Sequence, residues 1–437
     1  MPTATVKLWG TVVGYVSMEP QELYARFEYD PDFVRMGIEV APLQMPAVAG
    51  RVYVFSELQR RAFHGLPGLL ADSLPDKYGN SLINVWLART GRKAEQFNAV
   101  DRLCYAGTRG MGALEFEPQT VNEASADKQL EVAELVELAS LAFANKESLE
   151  ARFANEGKEN DSKDGQAMLD ILSIGTSAGG ARAKAVIAFN PKTREVRSGQ
   201  MDLPPGFEHW LIKFDGVEFN GDWGVADPAG YGLLEYSYYL MAIECGINME
   251  ECRRFEEGGR THFMTRRFDR GENGEKYFVQ SLGAIAHYDY WESGYHSYEQ
   301  VLMTMRELGM GLDMIEEMVR RIIFNIVGCN QDDHVKNISF MMDREGQWRL
   351  SPAYDLCHAQ GSDFTRHHQL SLNGKTNSFD EQDVKHLGSY AGLPRGREKL
   401  ILEKTVKAFS GWQQMANTLG VPESLREHVR STIRLNW

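Results

Sequence analysis

Apolar side chains recur at Met314, Ile315, Met318, Val319, Ile322, Ile323, Ile326 and Val327, the three-and-four spacing that lines one face of a helix. The pattern predicts a helix over "DMIEEMVRRIIFNIVG" that runs straight into "CNQDDHVKN", so that loop would sit on a rigid support. The C-terminal end and "LEVAELVELASLAFANK" read as further helices, and "GNSLINVWLART" as another behind a Leu-Pro-Asp turn. Elsewhere short apolar runs bounded by Gly or Pro predict strands: "ATVKLWGTVVGYVSM" and "GALEFEP" near the N-terminus, then "AKAVIAF", "HWLIKFD" and "KYFVQS". "NISFMM" followed by "DREGQ" predicts a strand entering a hairpin turn. The polar "QTVNEASADKQ" reads as a linker, and part of "ESLEARFANEGKENDSKDG" is expected to be mobile. A β-rich half followed by a helical half predicts an α+β chain with a cleft between two lobes. The expected division is 1–118, a small mixed subdomain; 119–268, the remainder of the β-rich lobe; and 269–437, an all-α lobe.

Composition narrows this picture. With 437 residues, 43% hydrophobic and 25% charged, the chain is long enough for several domains and has the balance of a folded globular protein. No basic stretch leads into an apolar core at the N-terminus, and no apolar run approaches a membrane span, so a cytoplasmic protein that makes no membrane contact is expected. The five scattered cysteines include no C-x-x-C pair, which speaks against a disulfide framework or a zinc site. A net charge of −14 disfavours a chain that grips nucleic acid unaided, because such binding relies on clustered Lys and Arg.

Candidate chemistry lies in "DDHVKN" and the Asp beyond the hairpin. Asn337 and Asp355 could supply the one or two protein oxygens that a Mg²⁺ on nucleotide phosphates requires. Asp332 would then be free to orient a hydroxyl and accept its proton, as in kinase-type phosphoryl transfer. Taken alone, Asp and Asn at this spacing also suit an ordinary turn. Upstream, Gly175, Gly179 and Gly180 precede a strand carrying Lys184, an arrangement that lets backbone N–H groups approach phosphates but does not match the Walker A pattern. Lys213 interrupts the apolar strand "HWLIKFDG". It reads either as an edge lysine reaching solvent or as a phosphate clamp steadied by Glu235 on a following helix.

In this order, "SAGGARAK", "IKFDG", "RRFDR", "DDHVKN" and "SPAYDL" make the chain resemble the HipA-type serine/threonine kinase toxins of bacterial toxin–antitoxin pairs; the "LPD" and "GALEFEP" segments support the likeness. The resemblance implies a two-lobed protein-kinase-like fold using ATP and Mg²⁺. It implies Asp332 as catalytic base, Asn337 and Asp355 as Mg²⁺ ligands, and His334 and Tyr354 against the nucleotide. Gly179, Gly180, Ala181, Arg182, Ala183 and Lys184 would form the phosphate loop, and Lys213 the nucleotide clamp. Arg266, Arg267 and Phe268 fall at the connector that reads adenine, and Ser177 at a site of inactivating autophosphorylation. Asp333, where glycine is frequent in the family, Arg266, where an acidic residue can occur, and the long acidic stretch at 147–165 depart from the pattern.

The partners implied are a HipB-like DNA-binding antitoxin, which would make most of the DNA contacts, and a protein substrate such as an aminoacyl-tRNA synthetase, glutamyl-tRNA synthetase first. Two other readings stay open. A small-molecule kinase of the aminoglycoside or choline type shares the Asp and Asn spacing, but its motif begins with His-Gly where this chain has Asn330 and Gln331. A catalytically silent corepressor would bind nucleotide without turnover.

Overall fold

The computed structural model describes residues 3–75, 97–120, 182–199, 203–217, 229–272, 274–361 and 363–437, with isolated positions at 79, 80, 83, 84, 87, 132, 135 and 136. Ser177, Gly179, Gly180 and Ala181, most of "GNSLINVWLART" and "LEVAELVELASLAFANK", and the acidic stretch lie outside the described residues.

Alternating burial along β1 (Thr3–Leu8) leaves one face apolar, and the Trp9 and Gly10 turn folds β2 (Thr11–Ser17) back antiparallel to it. With β3 (Arg26–Tyr29), β4 (Val52–Tyr53) and β5 (Leu114–Glu117) they form a sheet of order β4-β3-β2-β1-β5. Val6, Leu8, Val16 and Phe27 pack there against the helix Ala99–Ala106, whose Asn98 and Asp101 cap each other reciprocally.

A second antiparallel sheet has the order β7-β6-β8-β10-β9, from β6 (Lys184–Phe189), β7 (Val196–Ser198), β8 (Glu208–Lys213), β9 (Cys252–Glu257) and β10 (Arg260–Arg266). Every residue of β6 is buried, as expected of a strand covered on both faces. The helix Tyr231–Cys245 packs against β9 and β10.

The C-terminal half is mainly helical, as expected, and it also holds a three-stranded sheet that an all-α lobe does not include. Its strands are β11 (Phe278–Ser281), β12 (Ser339–Met342) and β13 (Trp348–Leu350), with the predicted turn closing over Asp343 and Gly346. The predicted stripe becomes the helix Leu312–Val327. Seven of its eight apolar positions are buried in the lobe's core and Met314 is partly buried against it.

Sequence order places the N-terminal sheet with the β-rich half, yet its described contacts run to the helical half. Phe278 and Met342 belong to its core. Asp72 accepts hydrogen bonds from Ser281 N–H at 2.7 Å and Ser281 Oγ at 2.8 Å, and Lys276 Nζ reaches the Thr108 carbonyl at 2.8 Å. The reason is an apolar sheet face on the helical lobe that needs a cover. At this interface a Cβ on Gly68 would lie 2.2 Å from the Ala284 carbonyl oxygen and 2.6 Å from the His287 ring. Gly68→Ala is therefore expected to destabilise the protein by about 1–3 kcal/mol in urea unfolding. An unchanged midpoint would contradict this docking.

Candidate active site

Lys213 ends β8, the third of five strands, so it is no edge lysine reaching solvent. Its side chain is only 14% exposed and its ammonium is held between two carboxylates. One is Glu235, a single turn into the helix Tyr231–Cys245; the other is Asp355, whose Oδ1 lies 2.6 Å from Nζ. Burial alone would lower the Lys213 pKa, but Asp355 and Glu235 outweigh it and raise it, so the amine is a fixed cation. Burial would likewise raise Asp355, yet Lys213 and then Lys184 hold it below the usual carboxylate range. Lys184 is buried directly opposite Lys213 across the β6–β8 pair. Two lysines on one face thus confront the metal-candidate carboxylate, a positive cradle suited to phosphate.

The candidate base is set by the end of the helix Leu312–Val327. Cys329 takes a left-handed turn at φ 55°, and Asn330 returns its N–H to the Asn325 carbonyl at 2.9 Å. Asn330 Nδ2 also donates to Asn325 Oδ1 at 3.0 Å and to the Asp355 carbonyl at 3.3 Å, tying this loop to the Asp355 segment. Asp332 projects with its side chain 42% exposed, and His334 Nε2 stands 3.7 Å from its carboxylate. Asn337 donates from Nδ2 to the Asp332 carbonyl at 2.7 Å, which leaves its amide oxygen as the atom available for a cation. The Tyr354 hydroxyl donates to the Lys336 carbonyl at 2.7 Å, fixing the Asp355 segment against the same turn. Asp355 itself sits at φ 53°.

Asp333, one of the departures noted above, faces inward. It is buried and accepts from the Tyr298 hydroxyl and from Gln369 N–H at 2.7 Å, with His368 Nδ1 at 2.7 Å. Glycine there would leave these groups without that carboxylate. Sequence reading missed the arrangement because Tyr298 and His368 are both 35 residues away.

Of the connector residues, Arg266 pairs outward with Glu250 at 2.9 Å. Arg267 is buried in a two-pronged pair with Asp269, at 2.9 and 2.7 Å, which occupies its guanidinium. Their backbone N–H groups already bond the Glu251 and His209 carbonyls, whereas the Phe268 N–H has no partner among the described residues. Phe268 stacks on Tyr354 with ring centroids 5.8 Å apart. Arg182 lies over the Tyr231 ring at 4.0 Å, and the Ala183 carbonyl accepts Phe214 N–H at 3.0 Å. Asp215 and Asp269 complete the surroundings, and sequence reading singled out neither.

The donor chemistry fits Mg²⁺. A carboxylate and an amide oxygen are hard ligands, and two protein oxygens suffice when phosphate and water complete the octahedron. Among the described residues no cluster of three or more His, Cys, Asp or Glu could hold a metal unaided. No helix among them is long and apolar enough to cross a membrane.

Known proteins resemble this chain in both of its halves. The HipA N-terminal domain family matches residues 4–117 and the HipA-like C-terminal domain family matches residues 176–433. A Sinorhizobium fredii protein named "Putative kinase Y4dM" is 30% identical over 306 residues, which cover 63% of this chain and 69% of that one. The solved HipA of Shewanella oneidensis, in a complex with HipB and operator DNA, superposes with a TM-score of 0.66 at 16% identity over 98% of this chain and 95% of that one. With both family domains present, the larger alone spanning more than half of its length, the chain belongs to the HipA family.

Proposed function

We propose that the protein is an ATP- and Mg²⁺-dependent protein kinase that phosphorylates serine or threonine hydroxyls and acts as the toxin of a toxin–antitoxin pair. The observation that carries this reading is Lys213 held between Glu235 and Asp355, the pairing that kinase chemistry needs before phosphates can be clamped. In this reading Lys213 and Lys184 meet the α- and β-phosphates, and the Phe268 region holds the adenine. Asp355 and the Asn337 amide oxygen would hold Mg²⁺, which would supply charge neutralisation at the phosphates. Asp332 orients the acceptor hydroxyl. As that oxygen bonds to the γ-phosphorus and the bond to the β-phosphate oxygen breaks, its proton passes to the Asp332 carboxylate and ADP leaves.

The target proposed is an aminoacyl-tRNA synthetase, glutamyl-tRNA synthetase first, and the restraining partner a HipB-like antitoxin. The Shewanella HipA was solved with HipB and operator DNA, and a chain of charge −14 complements a basic DNA-binding partner. Expression in a bacterial host tests the toxin role. The intact protein should arrest growth, Asp332→Ala should not, and co-expression of the cognate antitoxin should restore growth. Equal growth with the intact protein and the variant, at equal expression, would remove the toxin reading.

A further inference from the structure

We propose that Asp215 is a positioning residue that straps the start of the Glu235 helix to the end of the Lys213 strand and so sets the Lys213–Glu235 pair. The inference rests on the phosphate-clamp reading of Lys213, and it concerns how that clamp is held. Asp215 lies two residues beyond Lys213. One residue before it the β6 pairing still continues, with Phe214 N–H on the Ala183 carbonyl at 3.0 Å. The chain bends at Asp215 itself. Its own N–H donates to His262 Nδ1 on β10 at 2.9 Å, which anchors the backbone from the other flank.

The buried carboxylate then accepts Gly230 N–H with both oxygens at 3.0 Å and Gly232 N–H with Oδ1 at 3.2 Å. The helix Tyr231–Cys245 has no side-chain cap of its own and no acidic residue in its first turn. Asp215 therefore supplies, from just past the end of β8, both the missing acceptor and the negative charge that a helix N-terminus favours. The contact is close. A Cβ on Gly232 would lie 2.1 Å from the Thr261 carbonyl oxygen, and one on Gly230 2.4 Å from Pro422 Cδ. Glu235 follows Gly232 by three residues, one turn along the same face. Whatever fixes Gly232 against β10 also fixes how far Glu235 reaches toward Lys213.

Loss of the strap has a specific chemical consequence. Lys213 is shared between Glu235 and Asp355. If Glu235 withdraws, the ammonium loses one counter-charge and leans on Asp355, the carboxylate proposed for Mg²⁺. Nucleotide binding should weaken and need more Mg²⁺.

The test is a double-mutant cycle of Asp215→Asn with Glu235→Gln in the full chain, with two readouts. One is the affinity for a fluorescent ATP analogue across a Mg²⁺ titration; the other is amide hydrogen exchange at the helix start, residues 230–235, followed by peptide mass spectrometry. Asp215→Asn is expected to weaken nucleotide binding about tenfold, the scale of one charge-assisted hydrogen bond, and to speed hydrogen exchange at the helix start. The double variant is expected to resemble the stronger single one. Additive effects, or wild-type values of both readouts in Asp215→Asn, would overturn the proposal. If Asp215→Asn does not fold, Asp215→Ser, which keeps one acceptor oxygen at the helix start, is read by the same criteria. An intact chain that binds no nucleotide would refute the clamp reading, while hydrogen exchange at the helix start would still decide the strap.

Discussion

Asp332→Ala is expected to lower phosphoryl transfer by about a hundred- to ten-thousand-fold while leaving Mg²⁺-ATP affinity near the wild-type value. The two effects separate because of what each part of Asp332 touches. Its carboxylate is the exposed group, whereas its backbone carbonyl is what orients the Asn337 amide, and that carbonyl survives the substitution. Lys213, Asp355 and Phe268 contact the candidate nucleotide site from other segments. Single-turnover transfer from labelled ATP, measured beside equilibrium binding of a fluorescent nucleotide, reads both quantities. Equal loss of binding and transfer would mean that Asp332 acts on the ground state and is no base. Undiminished transfer would assign the proton to another group.

The second large effect concerns the connector. Asp269→Ala should destabilise the protein by about 3–5 kcal/mol, because it strands buried guanidinium groups without their counter-charge. Asp269 is 1% exposed and bonds Arg267 and Arg270 at 2.7 and 2.8 Å, as well as Gly112 N–H at 2.7 Å. Arg270 continues into the N-terminal subdomain through the Gly110 and Gly112 carbonyls, at 2.9 and 2.8 Å. The cluster thus joins the connector carrying Phe268 to the turn before β5. Arg266→Ala, which removes only the more exposed pair with Glu250, should cost no more than about 1 kcal/mol. Urea midpoints of the two variants compare them directly. Similar midpoints would show that burial adds little at Asp269.

A pH dependence follows from the same residue. Burial would raise the Asp269 pKa, but Arg267 and then Arg270 hold it well below its ordinary value of 3.8. A carboxylate depressed on folding contributes fully above its unfolded pKa, and that contribution is lost as pH falls below about 4 toward the folded pKa. Acid unfolding of the wild type should therefore be steeper below about pH 4 than that of Asp269→Ala. Parallel curves would contradict the ion cluster.

The elements that sequence exposed most clearly were those with a strong period. The helix Leu312–Val327 and strands β6, β8 and β12 follow directly from apolar spacing, and the hairpin after β12 from Gly346, which adopts φ +82°. The pairing of Lys213 with Glu235 was legible because a lysine inside an apolar strand demands a nearby counter-charge. That Asp355 shares the same lysine was not, since 142 residues separate them and only the turn of the chain brings them together. Asp215 left a faint trace, as the polar residue next in phase after Lys213 in "IKFDG", and strand alternation could have flagged it. "RRFDR" read as a nucleotide connector, yet its arginines point elsewhere: Arg267 and Arg270 to Asp269, Arg266 to Glu250, leaving Phe268 toward Tyr354. Which side chains of a charged run turn inward depends on partners such as Gly112, and no local pattern announces them. The docking of the N-terminal sheet on the helical lobe was hidden for the same reason: Asp72 and Ser281 meet across 209 residues.

The most direct measurement is phosphoamino-acid analysis of a bacterial lysate incubated with the purified protein, γ-labelled ATP and Mg²⁺, beside the Asp332→Ala protein. The account predicts labelled phosphoserine or phosphothreonine on lysate protein with the intact chain and none with the variant. Label confined to small molecules, or no transfer by a chain that binds ATP, would contradict it.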